Sequence, residues 1–182
     1  MDDLIRYVQP RSNLPDLVNS RSGSLLVIGS AACVQDDLKR YDKLHSGARM
    51  GVNDAIPWYK GKLDFAVSLH PSKLWFWCKA RKDNPIPIST HRAGGWPEII
   101  FDIHADGATS GLSAIVVSLL MGFDSIVLAG IPVSDDPKLN GEVGRISAET
   151  MQKEWMIFSR FFGGKVRSLS GWTRDTFGAP DV

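Results

Sequence analysis

Four short segments hold the residues whose types and spacing could do chemistry: Gly29-Ser30-Ala31-Ala32-Cys33, Asn53-Asp54, His70 and Thr109-Ser110-Gly111. Small side chains in the first segment let a phosphate or ribose approach the backbone closely, and equally suit a tight turn with no ligand. The dinucleotide fingerprint Gly-x-Gly-x-x-Gly is not met, because Ala31 and Val34 stand where its second and third glycines fall, and the P-loop pattern is absent. Thr109-Ser110-Gly111 precedes a long apolar segment. If that segment is a helix, its unpaired amides and positive dipole end can hold an anion, with two hydroxyls as further donors, or Thr and Ser can act as ordinary caps. Asn53 offers a paired donor and acceptor for a base or sugar edge, with Asp54 beside it, or forms an Asx-turn. His70, just before Pro71, is the candidate general acid or base.

Weaker constellations are His104 with Asp102 and Asp106, as a metal or acid–base cluster or a solvated strand end, and Asp135-Asp136, as magnesium ligands or a surface turn. No metal site is assigned from them. Arg92 and Lys73 are candidate cations for a phosphate. Six tryptophans are many for 182 residues. Trp58, Trp75, Trp77 and Trp96 suit core packing, stacking on a base, or a contact with another protein or a second copy of this chain. Cys33 and Cys78 lie outside any CxxC pattern and suit buried thiols better than a disulfide or zinc site.

Elements must bring these segments together. Ser24 to Ile28 is a continuous apolar run ending in Gly29, the signature of a strand buried on both faces. Runs at 49–52, 65–69, 86–89 and 98–103 are further strand candidates, each bounded by Gly, Pro, Asn or Asp. Residues 35–44 form an amphipathic helix pattern. Residues 111–121 are apolar nearly all round, which predicts a buried helix followed by a strand over 125–129. Aromatic residues at helical spacing over 148–162, ended by Gly163-Gly164, predict another helix before a last strand over 165–169. The tail from Ser170 is punctuated by Gly and Pro and reads as irregular. This alternation predicts a three-layer, Rossmann-like α/β domain over 24–182, its sheet mostly parallel with helices on both faces, and residues 1–23 as an arm laid over it. Ligands of such sheets sit beyond the carboxyl ends of the strands, where all four candidate segments fall.

Composition narrows the partners. At 43% hydrophobic and 23% charged, the chain can bury one full core. A net charge of +1 with both signs spread along the chain offers no tract for neutralising nucleic-acid phosphates. The start Met1-Asp2-Asp3 has no signal-peptide character, and no apolar stretch is long enough to span a bilayer. A cytoplasmic protein with neither a nucleic-acid nor a membrane partner is the expectation.

Taken together, Val27-Ile28-Gly29-Ser30, Val52-Asn53-Asp54, Thr109-Ser110-Gly111 and Met121 through Ile131 resemble the core shared by bacterial CMP-sialic-acid-dependent sialyltransferases and the archaeal hydroxymethylpterin pyrophosphokinase-like family. The whole chain, including Leu69-His70-Pro71 and the run from Val166 to Thr173, is similar to uncharacterised phage and prophage proteins. The resemblance implies a Rossmann-like fold, and a CMP-type or other nucleotide or nucleotide sugar held by Gly29, Ser30, Asn53, Thr109, Ser110 and Gly111, with Mg2+ as a candidate companion. It implies a transferase, or a phage accessory protein that keeps the fold and binds proteins. The first loop lacks the Gly-Asn-Gly-Pro-Ser of those families, Pro132 stands where they tend to have Asp, and no His follows His104. Histidine-dependent sialyl transfer is therefore not expected.

Overall fold

The computed structural model describes residues 8–10, 18–42, 47–89, 101–103, 109–144 and 146–181. Six short strands, β2 (Ser24–Ile28), β3 (Ala48–Val52), β4 (Phe65–Ser68), β5 (Ile86–Ser89), β7 (Ser125–Ala129) and β8 (Val166–Ser168), form one parallel sheet in the order β5-β4-β3-β2-β7-β8. β1 (Val8–Pro10) and β6 (Phe101–Ile103) pair antiparallel in a separate two-stranded ribbon. The run expected at 98–103 therefore pairs with the N-terminal segment and not with the main sheet.

Alternation within β2 explains the layers. Leu25 and Val27 point to one face, with Met50, Val52, Phe65, Val67, Ile126 and Leu128, and pack on helices α4 (Ser110–Met121) and α5 (Ala148–Ser159). Leu26 and Ile28 point to the other, with Ala66, Val127 and Ala129, under α1 (Val34–Tyr41), α2 (Ala55–Trp58) and α3 (Pro71–Lys79). A strand buried on both faces must be apolar at every position, and Leu25 to Ile28 are all fully buried. The fold is thus the three-layer, Rossmann-like α/β arrangement. Among the described residues no helix is long and apolar enough to cross a membrane.

α4 is buried at each of its twelve residues, as its all-round apolar sequence predicts. Thr109 caps its start, and Gly122 at φ +97° ends it in the left-handed conformation that glycine adopts without strain. The backbone amides of Asn19 and Arg21 donate to the carbonyls of Leu120 and Met121, so this part of the predicted arm seals the exit of α4.

Two elements, α3 and the tail, depart from expectation, while β5 falls on the expected run 86–89. α3 begins at Pro71, where the fixed φ and missing N–H of proline suit a first helical turn. β5 contains Pro87, tolerated because β5 is the edge strand of the sheet. The tail, expected to be irregular, forms α6 (Gly171–Phe177), held by Phe177 against Trp155, Phe162 and Trp172 at ring-centroid distances of 6.2, 5.2 and 5.8 Å. The contacts with Trp155 and Phe162 come from outside the helix, and local Gly/Pro punctuation carries no signal of them.

Candidate functional site

Strand order reverses at β2, whose neighbours are β3 on one side and β7 on the other. The crevice beyond this reversal is where open α/β sheets hold ligands. Here it is filled by the protein itself. A Cβ at Gly29 would collide with the carbonyl oxygen of Gly130 and stand 2.5 Å from the Ile131 side chain, while one at Gly111 would lie 3.2 Å from the same Ile131. Both glycines thus admit one isoleucine from the loop after β7.

That loop then runs across the sheet edge. Leu139 N–H donates to the Ser30 carbonyl at 2.9 Å, Ala31 and Lys138 form an isolated antiparallel bridge, and Lys138 Nζ lies 3.6 Å from Asp54 Oδ2. The same loop holds Val133 at φ +51°, a conformation that costs a β-branched residue about 1–3 kcal/mol. Gln152 secures it by donating to the Val133 carbonyl, and Asp135 accepts from the Ala148 amide at 2.7 Å, capping α5. Asp135 is therefore engaged in holding the loop.

Asp37, fully buried on α1, ties the loop after β7 to the start of α6. Its Oδ2 accepts from Gly130 N–H at 2.8 Å and from Ser170 Oγ at 2.7 Å, and Ser170 Oγ also lies 3.2 Å from Cys33 Sγ. Burial pushes the Cys33 thiol up, the hydrogen bond with Ser170 opposes this, and the Asp37 carboxylate adds to the rise. Cys33 is thus a protonated thiol at neutral pH, unsuited to nucleophilic chemistry. Neither Cys33 nor Cys78 is in a disulfide, and both are only partly buried.

The remaining candidates meet beyond β3 and β4. Asn53 adopts φ +52°, a left-handed conformation that asparagine tolerates better than most residues, and this turns its side chain toward β4. Its Oδ1 accepts from Ser68 Oγ at 2.7 Å, and Ser68 Oγ accepts from His70 N–H at 2.9 Å. Leu69 N–H donates to Ser110 Oγ at 3.3 Å, linking this rim to the first turn of α4. Asn53, Ser68, His70 and Ser110, from three separate elements, therefore share one edge. His70 is exposed and sits at the N-cap position of α3.

Thr109 has a different task. Its Oγ1 accepts from Leu112 N–H and from Trp155 Nε1–H, both at 3.2 Å, so its acceptor positions are spent on capping α4 and anchoring α5. Of the residues singled out from sequence, Gly29, Ser30 and Gly111 line the filled crevice, Asn53, His70 and Ser110 line the rim, and Asp54 joins the two through Lys138. Arg92, Trp96, His104 and Asp106 lie outside the described residues, as does the side chain of Asp102. Lys73 is exposed on the first turn of α3. Trp58 and Trp77 pack partly buried on the face of the sheet under α3. Among the described residues no group of three or more His, Cys, Asp or Glu is arranged to hold a metal ion.

Sequence reasoning missed Ser68, Ile131, Lys138 and Asp37. Ser68 had a signal, a hydroxyl closing an apolar strand two residues before His70. The other three had none, because their partners are 20 to 133 residues away or buried backbone.

Fold and edge together define a doubly wound, Rossmann-like α/β protein. No known family and no curated protein matches the chain significantly.

Proposed function

We propose that the carboxyl-end edge binds a nucleotide or nucleotide sugar, of CMP type or another, in a transferase-like protein of phage or prophage kind acting in the host cytoplasm. One observation carries this reading: the hydrogen-bonded convergence of Asn53, Ser68, the His70 backbone and Ser110 at the ends of β3 and β4 and the start of α4. Phosphates lie on the rim beside Ser110, outside the crevice that Ile131 fills at Gly111, where the positive end of the α4 dipole favours anions. Asn53 addresses the base or ribose, and His70, exposed at the rim, is the acid or base for the transferred group. Mg2+, where required, is brought with the phosphates.

The test is calorimetric titration and thermal shift with nucleotides and nucleotide sugars, with and without magnesium. Ligand at about 100 times its Kd should stabilise the fold by about 2.7 kcal/mol. Asn53→Ala and Ser110→Ala should each abolish most of that gain. If no nucleotide raises the midpoint, or both variants bind as the parent does, the reading is wrong.

A second reading, a non-catalytic accessory protein that binds another protein, rests on Phe76, 66% exposed and edge-to-face with Trp75 at 4.8 Å. Exposed aromatic residues of this kind are favoured anchors at interfaces.

A further inference from the structure

At the opposite edge of the sheet, away from the nucleotide rim, the α2–β4 and α3–β5 loops line an open surface concavity of about 390 Å³. Its walls are Pro57, Tyr59, Gly61 and Ala80, and its charged groups are Lys60, Lys62, Arg81, Lys82 and Asp83. Local charge is strongly asymmetric. The concavity's lining carries four basic residues (Lys60, Lys62, Arg81, Lys82) against Asp83, a net of +3 in a chain whose total is +1.

The walls are held rigidly. Arg81 spends all five of its N–H donors within the protein: Nε on Asp83 Oδ1 at 2.8 Å, Nη1 on the carbonyls of Ile56 and Tyr59 at 2.6 Å each, and Nη2 on the Gly61 carbonyl at 2.5 Å and Asp83 Oδ2 at 2.6 Å. Asp83 Oδ2 also accepts from Leu63 N–H at 2.7 Å. A Cβ at Gly61 would collide with the Tyr59 ring, so glycine there leaves the Tyr59 wall undisturbed.

Charge is partitioned in a telling way. The Arg81 guanidinium and the Asp83 carboxylate neutralise each other as structure, and Lys62 pairs with Asp64 at 2.8 Å with its side chain largely in solvent. Among the described residues neither Lys60 nor Lys82 pairs with a carboxylate, and Lys79, beside the concavity, lies 4.4 Å over the Trp75 ring. A concave surface of this volume suits a small molecule, and exposed ammonium groups along it without a carboxylate partner favour an anion.

We propose that this basic concavity is a second binding site, for a small polyanion bearing a di- or triphosphate, with Lys60 and Lys82 supplying the unspent charge and Lys62 exchanging its Asp64 partner for the ligand. Its placement at the amino ends of the strands separates it from the nucleotide edge, and it stands whether or not that edge binds a nucleotide.

Inorganic tripolyphosphate is the probe, titrated calorimetrically into the whole chain at low ionic strength, where exposed charges are least screened. Three variants decide: Lys60→Gln/Lys82→Gln, the charge-conserving Lys60→Arg/Lys82→Arg, and Asn53→Ala/Ser110→Ala at the other edge. These lysines are exposed and make no hydrogen bond that holds the fold, and circular dichroism checks that each variant is folded. Expected is saturable binding whose affinity falls at least about tenfold in the Gln pair, is kept in the Arg pair and is unchanged in the Asn53/Ser110 pair. Absence of tripolyphosphate binding, undiminished affinity in the Gln pair, or loss confined to the Asn53/Ser110 pair overturns the proposal. So does binding of a single-stranded oligonucleotide with none of tripolyphosphate, which would make the surface a nucleic-acid track.

Discussion

Replacing Asp83 with Asn should expose how much the Arg81 clasp contributes to stability. The hydrogen bonds from Arg81 hold the Asp83 carboxyl at about 2, against an ordinary value of 3.8, with the Leu63 amide adding to the effect and burial opposing it. That difference corresponds to about 2.4 kcal/mol at ~1.36 kcal/mol for each pH unit. Partial exposure of the pair, 9% for Arg81 and 18% for Asp83, brings the expected value to about 1–2 kcal/mol after solvent screening. Because the folded value is depressed, the stabilisation is fully present above the unfolded value near 4 and is lost as pH falls through about 2. Urea unfolding of parent and Asp83→Asn between about pH 2 and pH 7 measures this. Other carboxylates titrate in the same window, but they do so in both proteins, so the difference between the two curves isolates Asp83. The parent should be more stable by at least 1–2 kcal/mol near neutrality, with the gap narrowing below about pH 4. A gap that is absent at neutral pH, or that persists undiminished at about pH 2, would refute the reasoning.

Thr109→Ala should cost about 1–2 kcal/mol in urea unfolding, because it removes the α4 cap and leaves Trp155 Nε1–H without its acceptor, whereas Thr109→Ser should retain most of the stability. Gly29→Ala should cost about 1–3 kcal/mol, and adding Ile131→Ala should recover little of it, since the Gly130 carbonyl is backbone and cannot swing aside; full recovery would place the crowding on Ile131 alone. Lys138→Ala should leave stability within about 0.5 kcal/mol, its 3.6 Å pairing with Asp54 being partly solvated; a larger loss would make the strap a structural tie.

The sheet and its central helices were legible because burial on both faces leaves a direct mark: Leu25 to Ile28 and Leu112 to Met121 have no polar face to confuse the period. That Asn53 and Ser110 fall at the carboxyl-end edge was legible by position, one just after an apolar strand and the other at the start of an apolar helix. The rest depends on tertiary partners. Thr109 reads as cap or anion ligand until Trp155, 46 residues on, takes one of its lone pairs. Gly29 reads as a phosphate loop until Ile131 fills the space a phosphate would need. α6 depends on rings from α5 and the turn that follows it, so local punctuation alone suggested an irregular tail. The Arg81 clasp was invisible because three of its acceptors are backbone carbonyls, which every residue carries and no sequence distinguishes.

The central position of β2 has a consequence for how the chain is made. β2 pairs with β3 about 23 residues on, but its other neighbour is β7, and Ser24 meets Ser125 across a separation of 101 residues. During synthesis, β2 through β5 and α4, which is buried at every residue in the finished fold, leave the ribosome before the strand that completes the middle of the sheet. Until then β2 presents an open edge beside a helix that has no polar face to offer water. Long-range parallel pairing of this kind slows folding and prolongs exposure of aggregation-prone surface. A nascent chain stopped short of Ala129 should therefore engage chaperones or aggregate, and release of β7 should be the step that commits the domain to its native state.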